Sequence, residues 1–420
     1  MPQDTELELG DAFADITDHD VYTRGVPHAT FLRLREEDPV SFTEEADGPG
    51  FWSVTRYEDV LFVSRHTELF SSAQGIRLED MDAEECQARR TIMEMDPPQH
   101  SRYRRLVSRP FSPRSVAAYE DSVRELAIEV LSEVRGQASF DFVSKVARQL
   151  PMKMLGRLLG LPDADLDWLV DRGDALIGNT DSDFTDFVVD QVDTSEYRLL
   201  PFRSPVSLEL FDYAQQAMAQ RRDAPTDDVI TSLLQPTVDG DLLEDDQLKN
   251  FFTLMVAAGN DTTRYSMAAG LNVIAERPQL LDTLRDDPAS IRTAVDEMLR
   301  WASTTMHFRR TATQDTELRG TRIKAGDKVV VWFVSADFDA EKFNDPFHFE
   351  AGRTPNDHVA FGLQSPHLCL GAHLARLEMR VLFEELVPML DAIEVVGTPE
   401  RLRSNFISGF KRLEVGADWR

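Results

Sequence analysis

The chain has 420 residues, with 74 acidic against 45 basic side chains for a formal net charge of -29, and 42% of it is apolar. That length and balance predict a large globular core, and the charge excludes a nucleic-acid binder, which needs a basic face toward phosphate. With only two cysteines, Cys86 and Cys369, a metal site built from thiolates alone is excluded, and a reducing compartment suits the chain.

Residues 1–20 form an acidic N-terminal segment without an apolar stretch, so neither a signal peptide nor a membrane anchor is predicted, and the protein is expected to be soluble and cytoplasmic. Phe51-Trp-Ser-Val-Thr-Arg-Tyr57 alternates as a short strand does, and a helix is predicted to begin at Tyr57. Asp96-Pro97-Pro98 punctuates the start of another helix, placing His100 and Arg104 on one face at i, i+4. On its own this segment fits a solvated basic helix equally well. Arg102, Arg105, Arg109 and Arg114 add local positive charge to an acidic chain. From Val123 to Arg222 the pattern is mostly helical, interrupted at Pro151, Pro162 and Pro201 to Pro205. The stretch from Asp181 to Asp190, acidic with aromatics, reads as a loop or at most a weak helix.

Leu242 to Glu276 is one helical run, which at the helical rise spans about 50 Å. Its apolar pattern is broken by a polar island, Ala258-Gly-Asn-Asp261-Thr262-Thr-Arg264. Mid-helix Thr262 can bond back to the carbonyl of Ala258, but that leaves Asp261, an acid in a buried helix, without a task.

Glu297-Met-Leu-Arg300 places opposite charges at i, i+3, a pairing common on surfaces. His307-Phe-Arg-Arg310-Thr-Ala-Thr enters a sheet, and Lys328 to Ser335 reads as a buried strand from its β-branched content. Next comes His358-Val-Ala-Phe361-Gly-Leu-Gln-Ser-Pro-His367-Leu-Cys369-Leu-Gly371, with an apolar-periodic helix running from Leu370 to Leu386. Cys369 thus sits at a helix N-terminus, where the dipole and free N–H groups favour a thiolate. Three readings stand: a buried inert thiol, a nucleophile with His367 as its base, or the axial thiolate of a haem iron.

Phe361-Gly362, His367, Cys369 and Gly371, followed by Ala372-His-Leu-Ala-Arg376, resemble the haem-binding loop of cytochrome P450 monooxygenases. The length of the loop and its Pro366-His-Leu-Cys-Leu-Gly371 resemble a bacterial subgroup whose loop is one residue longer. The chain departs from that subgroup at Leu363-Gln364-Ser365, where glycines are usual. Other segments resemble the family in order along nearly the whole chain. The resemblance implies a mainly α fold, a single domain over residues 1–420 with a small β-rich region, built around a buried haem b (iron protoporphyrin IX).

It further implies Cys369 as axial ligand, with Phe361 and Gly371 shaping the loop. His100, Arg104, Arg310 and His358 are implied as the clamp on the haem propionates. Ala258-Gly259 followed by Asp261 and Thr262 looks like the family's oxygen-activating motif, with Gly259 leaving room for dioxygen, Thr262 donating a hydrogen bond and Asp261 relaying protons. Glu297 and Arg300 resemble the pair that pins the segment leading to the cysteine. Its third member, commonly arginine, is expected at His348, which would make the lock pH-sensitive. Substrate-pocket candidates are Ile92, Leu254, Ala257, Ala258, Met306, His307, Phe308 and Ile407.

The implied activity is insertion of one oxygen atom into a C–H bond of a small hydrophobic substrate of sterol, lipid or terpenoid type. Electrons would come from NAD(P)H through a ferredoxin reductase and an acidic ferredoxin, docking near Arg102, Arg105 and Arg109 on a monomer. The alternative is a haem-thiolate peroxygenase or a haem-binding sensor, either of which has no need of Asp261 and Thr262.

Overall fold

The long apolar run with the polar island becomes a single helix, Asp245–Glu276, of 32 residues, about 48 Å at the helical rise. Glu244 and Gln247 close its N-terminus by a capping box, which satisfies donors that the first turn leaves free. Almost every face of this helix is buried, because the helices Gln149–Leu159, Asp163–Ile177, Val206–Asp223 and Ile291–Ala302 all pack against it. A helix that is apolar all round requires such a position. These elements belong to the computed structural model, which describes residues 11–45 and 48–420; the first half of the acidic N-terminal segment lies outside the described residues.

A five-stranded sheet stands beside the helical body, in the order Val40–Thr43, Phe51–Val54, Lys328–Trp332, His307–Ala312, Phe70–Ser71. Phe51–Val54 runs parallel to Lys328–Trp332 and the other pairings are antiparallel. The strand predicted over Lys328 to Ser335 stops at Trp332, and Phe333–Ala336 turns into a short helix. Two side-chain anchors enforce the turn. Arg35 donates to the Ser335 carbonyl (3.0 Å) and hydroxyl (2.8 Å), and the Asp337 carboxylate accepts from the Val359 N–H (2.7 Å) and the Ser303 hydroxyl (3.1 Å). Pro151, expected to interrupt a helix, lies in the first turn of Gln149–Leu159, where a missing N–H removes no intrahelical bond. The Asp181 to Asp190 stretch contains no helix or strand, as its composition predicts.

Beneath the cysteine loop lies a lock of buried charge. Glu297 and Arg300 are fully buried, and Arg300 donates through Nε (2.8 Å) and Nη2 (2.7 Å) to the two carboxylate oxygens. Its Nη1 donates to the carbonyls of Asp337 (2.7 Å) and Pro346 (3.0 Å). The third member is Arg353, whose Nε lies 3.1 Å from both oxygens of Glu297. This corrects the expectation for His348, which supplies only its backbone carbonyl, to Arg353 Nη2 at 3.0 Å. The turn after Asp345 carries the chain past His348 before a side chain faces Glu297, so the partner falls five residues later. A guanidinium has no titration near neutrality, and the lock therefore lacks the pH sensitivity expected of a histidine.

Candidate functional site

The cysteine loop and the long helix frame a cavity of about 230 Å³ whose wall includes Leu254, Ala258, Gly259, Thr262, Phe361 and Cys369. The cysteine loop holds its shape by backbone hydrogen bonds. The Cys369 N–H donates to the Phe361 carbonyl (2.9 Å), and Gly362 N–H donates to Val359 (2.7 Å). Gln364 takes the left-handed conformation with φ +62°. It carries a side chain through a backbone region that L-residues enter at a cost.

The helix after the cysteine spans Ala372–Leu386 with Gly371 at its cap. The Cys369 sulfur is open to the cavity yet enclosed by protein. Burial pushes its thiol pKa up, and the Gly371 N–H, the charges of Arg104 and Arg376, and the Ala372 N–H pull it back. A cationic centre in the cavity would tip this balance toward the thiolate.

The same wall holds His100, Arg104, Arg310 and His367. His100 is buried and neither ring nitrogen has a partner, and the Nε of Arg310 is also without one. The rings of His100 and His367 lie 4.2 Å apart. Burial, then Arg104, lowers the His100 pKa to about 4; burial lowers Arg310 to about 10 and drives His367 down, aided by Arg310, His100 and Arg104. Cations and orphaned donors gathered in one cavity wall call for an anionic partner. A haem would fit this wall: its two propionates would meet the donor set, and the Cys369 thiol would be available to its iron. No cluster of three or more His, Cys, Asp or Glu among the described residues suits a metal ion by itself.

His358, expected in this clamp, sits elsewhere. Its Nε2 lies 3.6 Å from Asp296 and 3.3 Å from Arg376, an ion cluster bracing the loop from outside the cavity. His367 stands with the other three instead. Its place two residues before the cysteine was the signal in the sequence, obscured there by its second reading as a base.

On the opposing helix the polar island divides. Thr262 and Ala258 line the cavity, and the Thr262 hydroxyl donates back to the Ala258 carbonyl at 3.0 Å. Gly259 faces Leu155, whose Cδ1 would lie 3.0 Å from an added Cβ, so the missing side chain admits a neighbouring helix. Asp261 points into the protein. Arg264 Nη2 lies 3.0 Å from its Oδ1, and Asn260 Nδ2 donates to the same oxygen at 3.0 Å. Arg264 also donates to Asp174 (2.7 Å), which meets Arg148 (3.3 Å), and Arg148 reaches Asp171, 60% exposed. A buried chain of ionisable groups thus connects the island to the surface. Burial pushes the Asp261 pKa up, against the Arg264 charge and with the help of Asp174 beside it.

Of the pocket candidates, Ile92, Leu254, Ala258 and Phe308 line this cavity, and Ala257 and Ile407 line a second one of about 120 Å³ that adjoins it. Met306 is fully buried against Trp332 and its neighbours. His307 turns to Trp332 (4.7 Å) and Phe406 (5.3 Å). Strand alternation explains this: Phe308 and Arg310 face the cavity, so His307 and Arg309 face the other way. Met93, Leu155 and Thr305 also line the cavity, and nothing in their local sequence marks them.

The family model for cytochrome P450 matches residues 24–393. The chain is 35% identical over 416 residues to a steroid C26-monooxygenase of Mycobacterium tuberculosis, covering 96% of this chain and 92% of the relative. It is 37% identical over 421 residues to a methyl-branched lipid omega-hydroxylase of the same species, covering 98% and 94%. Among solved structures, a Mycobacterium marinum cytochrome P450 in complex with pseudoionone superposes with a TM-score of 0.86 at 35% identity, over 98% of this chain and 99% of that one. Family model, relatives and fold agree over most of the chain: it belongs to the cytochrome P450 family and is a P450 monooxygenase.

Proposed function

We propose that this enzyme hydroxylates an unactivated C–H bond of a hydrophobic substrate of steroid-side-chain or branched-lipid type, with Cys369 as axial haem ligand. The observation that carries the reading is that the Cys369 thiol and the Thr262 hydroxyl line one cavity whose wall also holds the unpartnered His100 and Arg310. The names of the relatives, a steroid C26-monooxygenase and a methyl-branched lipid omega-hydroxylase, support the substrate class.

Bound haem supplies the iron at which dioxygen is activated. His100, Arg104, Arg310 and His367 pair with its propionates, and Cys369 donates electron density as thiolate. The Thr262 hydroxyl, on leaving the Ala258 carbonyl, donates toward the cavity, and Asp261, Asp174 and Arg148 link that region to solvent for proton supply. Apolar walls at Ile92, Leu254 and Phe308 exclude water from the reacting carbon. An acid with a raised pKa behind Thr262 favours dioxygen chemistry over a sensor role.

Arg102, Arg105, Arg109 and Arg114 are exposed, Arg102 in a surface pair with Asp239 at 2.8 Å, near the cysteine loop that Arg104 joins through the Leu368 carbonyl. They form the docking face for an acidic ferredoxin reduced through NAD(P)H, on a monomeric, cytoplasmic protein. Among the described residues no helix is long and apolar enough to cross a membrane. Cys369→Ser tests the assignment: the red-shifted Soret band of the ferrous carbonyl complex should disappear, and its survival would refute the ligand. Reduction by an acidic ferredoxin should slow with added salt, and salt-independent reduction would remove the docking face.

A further inference from the structure

The second cavity shares Met93, Leu254, Ala258, Thr262, Thr305 and Phe308 with the first, so a molecule reaching Thr262 can extend into it. Most of its wall is apolar, with Ile76, Met81, Ile177 and Ile407 beyond the shared residues. One side chain does not fit a purely hydrocarbon ligand. Arg77 lines this cavity with its guanidinium held between the rings of Phe202 and Phe406, 4.6 Å from each centroid.

The carboxylates nearby, of which Glu79 and Glu94 also line the cavity, are committed to other partners. Glu79 is bonded to Arg89 and lies 3.7 Å from Arg203, Glu85 accepts from Arg203 at 2.9 Å, and Glu94 accepts from the N–H (3.0 Å) and hydroxyl (2.5 Å) of Thr91. Glu79 and Glu94 act on Arg77 through space alone. The histidines on its other side are held neutral, since burial lowers His307 to about 3 and His19 to about 4. Among the described residues, no carboxylate forms an ion pair with Arg77 and no hydrogen bond uses its donors. Arg77 is half-buried, with its guanidinium open to the cavity, and the desolvation that the surrounding protein imposes pushes its pKa down to about 10, the response of a poorly hydrated cation without a contacting counter-charge. The two aromatic faces hold the guanidinium plane while leaving its edge free to donate in a fork.

We propose that Arg77 is a specificity-determining residue that binds an anionic head group, carboxylate or sulfate, at the end of the substrate remote from the carbon that reacts. The preferred substrate is then an amphipath: an oxyanion on Arg77, and a hydrocarbon body running past Ile407 and Leu254 toward Thr262. This rests on the monooxygenase reading for which end reacts, and is independent of it for which end is bound.

The test is calorimetric titration of haem-loaded wild type, Arg77→Gln and Arg77→Lys, with the low-spin to high-spin absorption change followed in parallel. The probes are pristanic acid, its methyl ester, cholesterol sulfate and cholestenone. Arg77→Gln should weaken the acid or the sulfate on the order of 10–100-fold while leaving the ester and ketone within about twofold, and Arg77→Lys should fall between. A loss confined to the acid names a fatty-acid head, and one confined to the sulfate a conjugated sterol.

Equal losses for charged and neutral probes would mean that Arg77 only packs, and overturn the proposal. So would unchanged binding of both anions, or wild type preferring the neutral probes. Failure of the reaction reading shows separately, as bound acid without hydroxylated product or a carbonyl complex lacking the red-shifted band.

Discussion

Two clusters of buried charge flank the cavity, and they are finished to different degrees. Under the cysteine loop, Glu297 accepts from Arg300, Arg353, the Asn356 amide (3.2 Å) and the Glu350 N–H (3.1 Å), and no atom of Glu297 or Arg300 is left without a partner. Behind the long helix, Asp261 Oδ2, Arg264 Nε and the Asn260 side-chain Oδ1 are buried and unpartnered. As a carboxylate Asp261 is incompletely satisfied; as an acid it can donate to Asp174 beside it, and this contributes to the raised pKa. The contrast teaches a distinction that burial alone hides. A buried charge whose every atom is used holds structure, whereas one that is completed only by a proton is placed to carry protons.

The largest effect is expected at the finished cluster. Glu297→Gln leaves two guanidinium groups buried without their counter-charge, and removing one partner of a buried pair costs about 3–5 kcal/mol. Thermal unfolding should occur several degrees lower, with haem lost on purification, and Arg353→Ala should follow it. His348→Ala, whose side chain lies outside the lock, should stay within about 0.5 kcal/mol of wild type. A large loss at His348 with none at Arg353 would reverse the assignment of the third member.

Asp261→Asn probes the unfinished cluster. The amide keeps the shape and the hydrogen bond from Arg264 but cannot carry a proton, so turnover should fall on the order of 100-fold with substrate affinity nearly unchanged. Stability should respond as well. The folded-state pKa of Asp261 is raised above its unfolded value, so the native state keeps a proton that the unfolded chain releases. This group therefore makes stability fall as pH rises from the unfolded pKa to the folded one. Denaturant midpoints measured across that window should lose this downward slope in Asp261→Asn. A variant with wild-type turnover and an unchanged slope would mean that Asp261 is a structural ion like Glu297.

The same contrast explains how much could be read in advance. The helical architecture, the single long helix, the cysteine loop and the pair Glu297–Arg300 are local in sequence, where spacing and punctuation act. The partners that complete them are set by the path of the chain. Arg353 meets Glu297 only after the turn past Asp345, and Asp174 meets Arg264 from a helix 90 residues earlier. His358 and His367 carry equal chemical promise in the sequence, and only the backbone path of the loop puts one beside Asp296 and the other beside His100. His307 failed as a pocket candidate for a reason that strand alternation alone contains: Arg310, an even-numbered partner of Phe308, already fixes which face meets the cavity.

The smallest expected effect is the most specific to mechanism. Thr262 differs from Asp261 in having its hydrogen already engaged, with the Ala258 carbonyl at 3.0 Å, a bond that costs little to exchange because mid-helix threonines make it in place of solvent. On the proposed mechanism the hydroxyl rotates in turnover to donate into the cavity, and the proton it positions there decides whether reducing equivalents emerge as hydroxylated product or as hydrogen peroxide. Thr262→Ala removes that hydroxyl without touching the Asp261 chain behind it. Substrate binding and NAD(P)H consumption should therefore change by no more than about twofold, while the peroxide share of the products rises several-fold. Thr262→Ser, which restores a hydroxyl at the same backbone position, should recover most of the coupling. Product, peroxide and reductant measured in one reaction separate the outcomes. If Thr262→Ala slowed consumption as far as Asp261→Asn does, the hydroxyl would belong to the proton chain itself; if coupling were untouched, the neighbouring Thr263 or a hydroxyl on the substrate would carry the role.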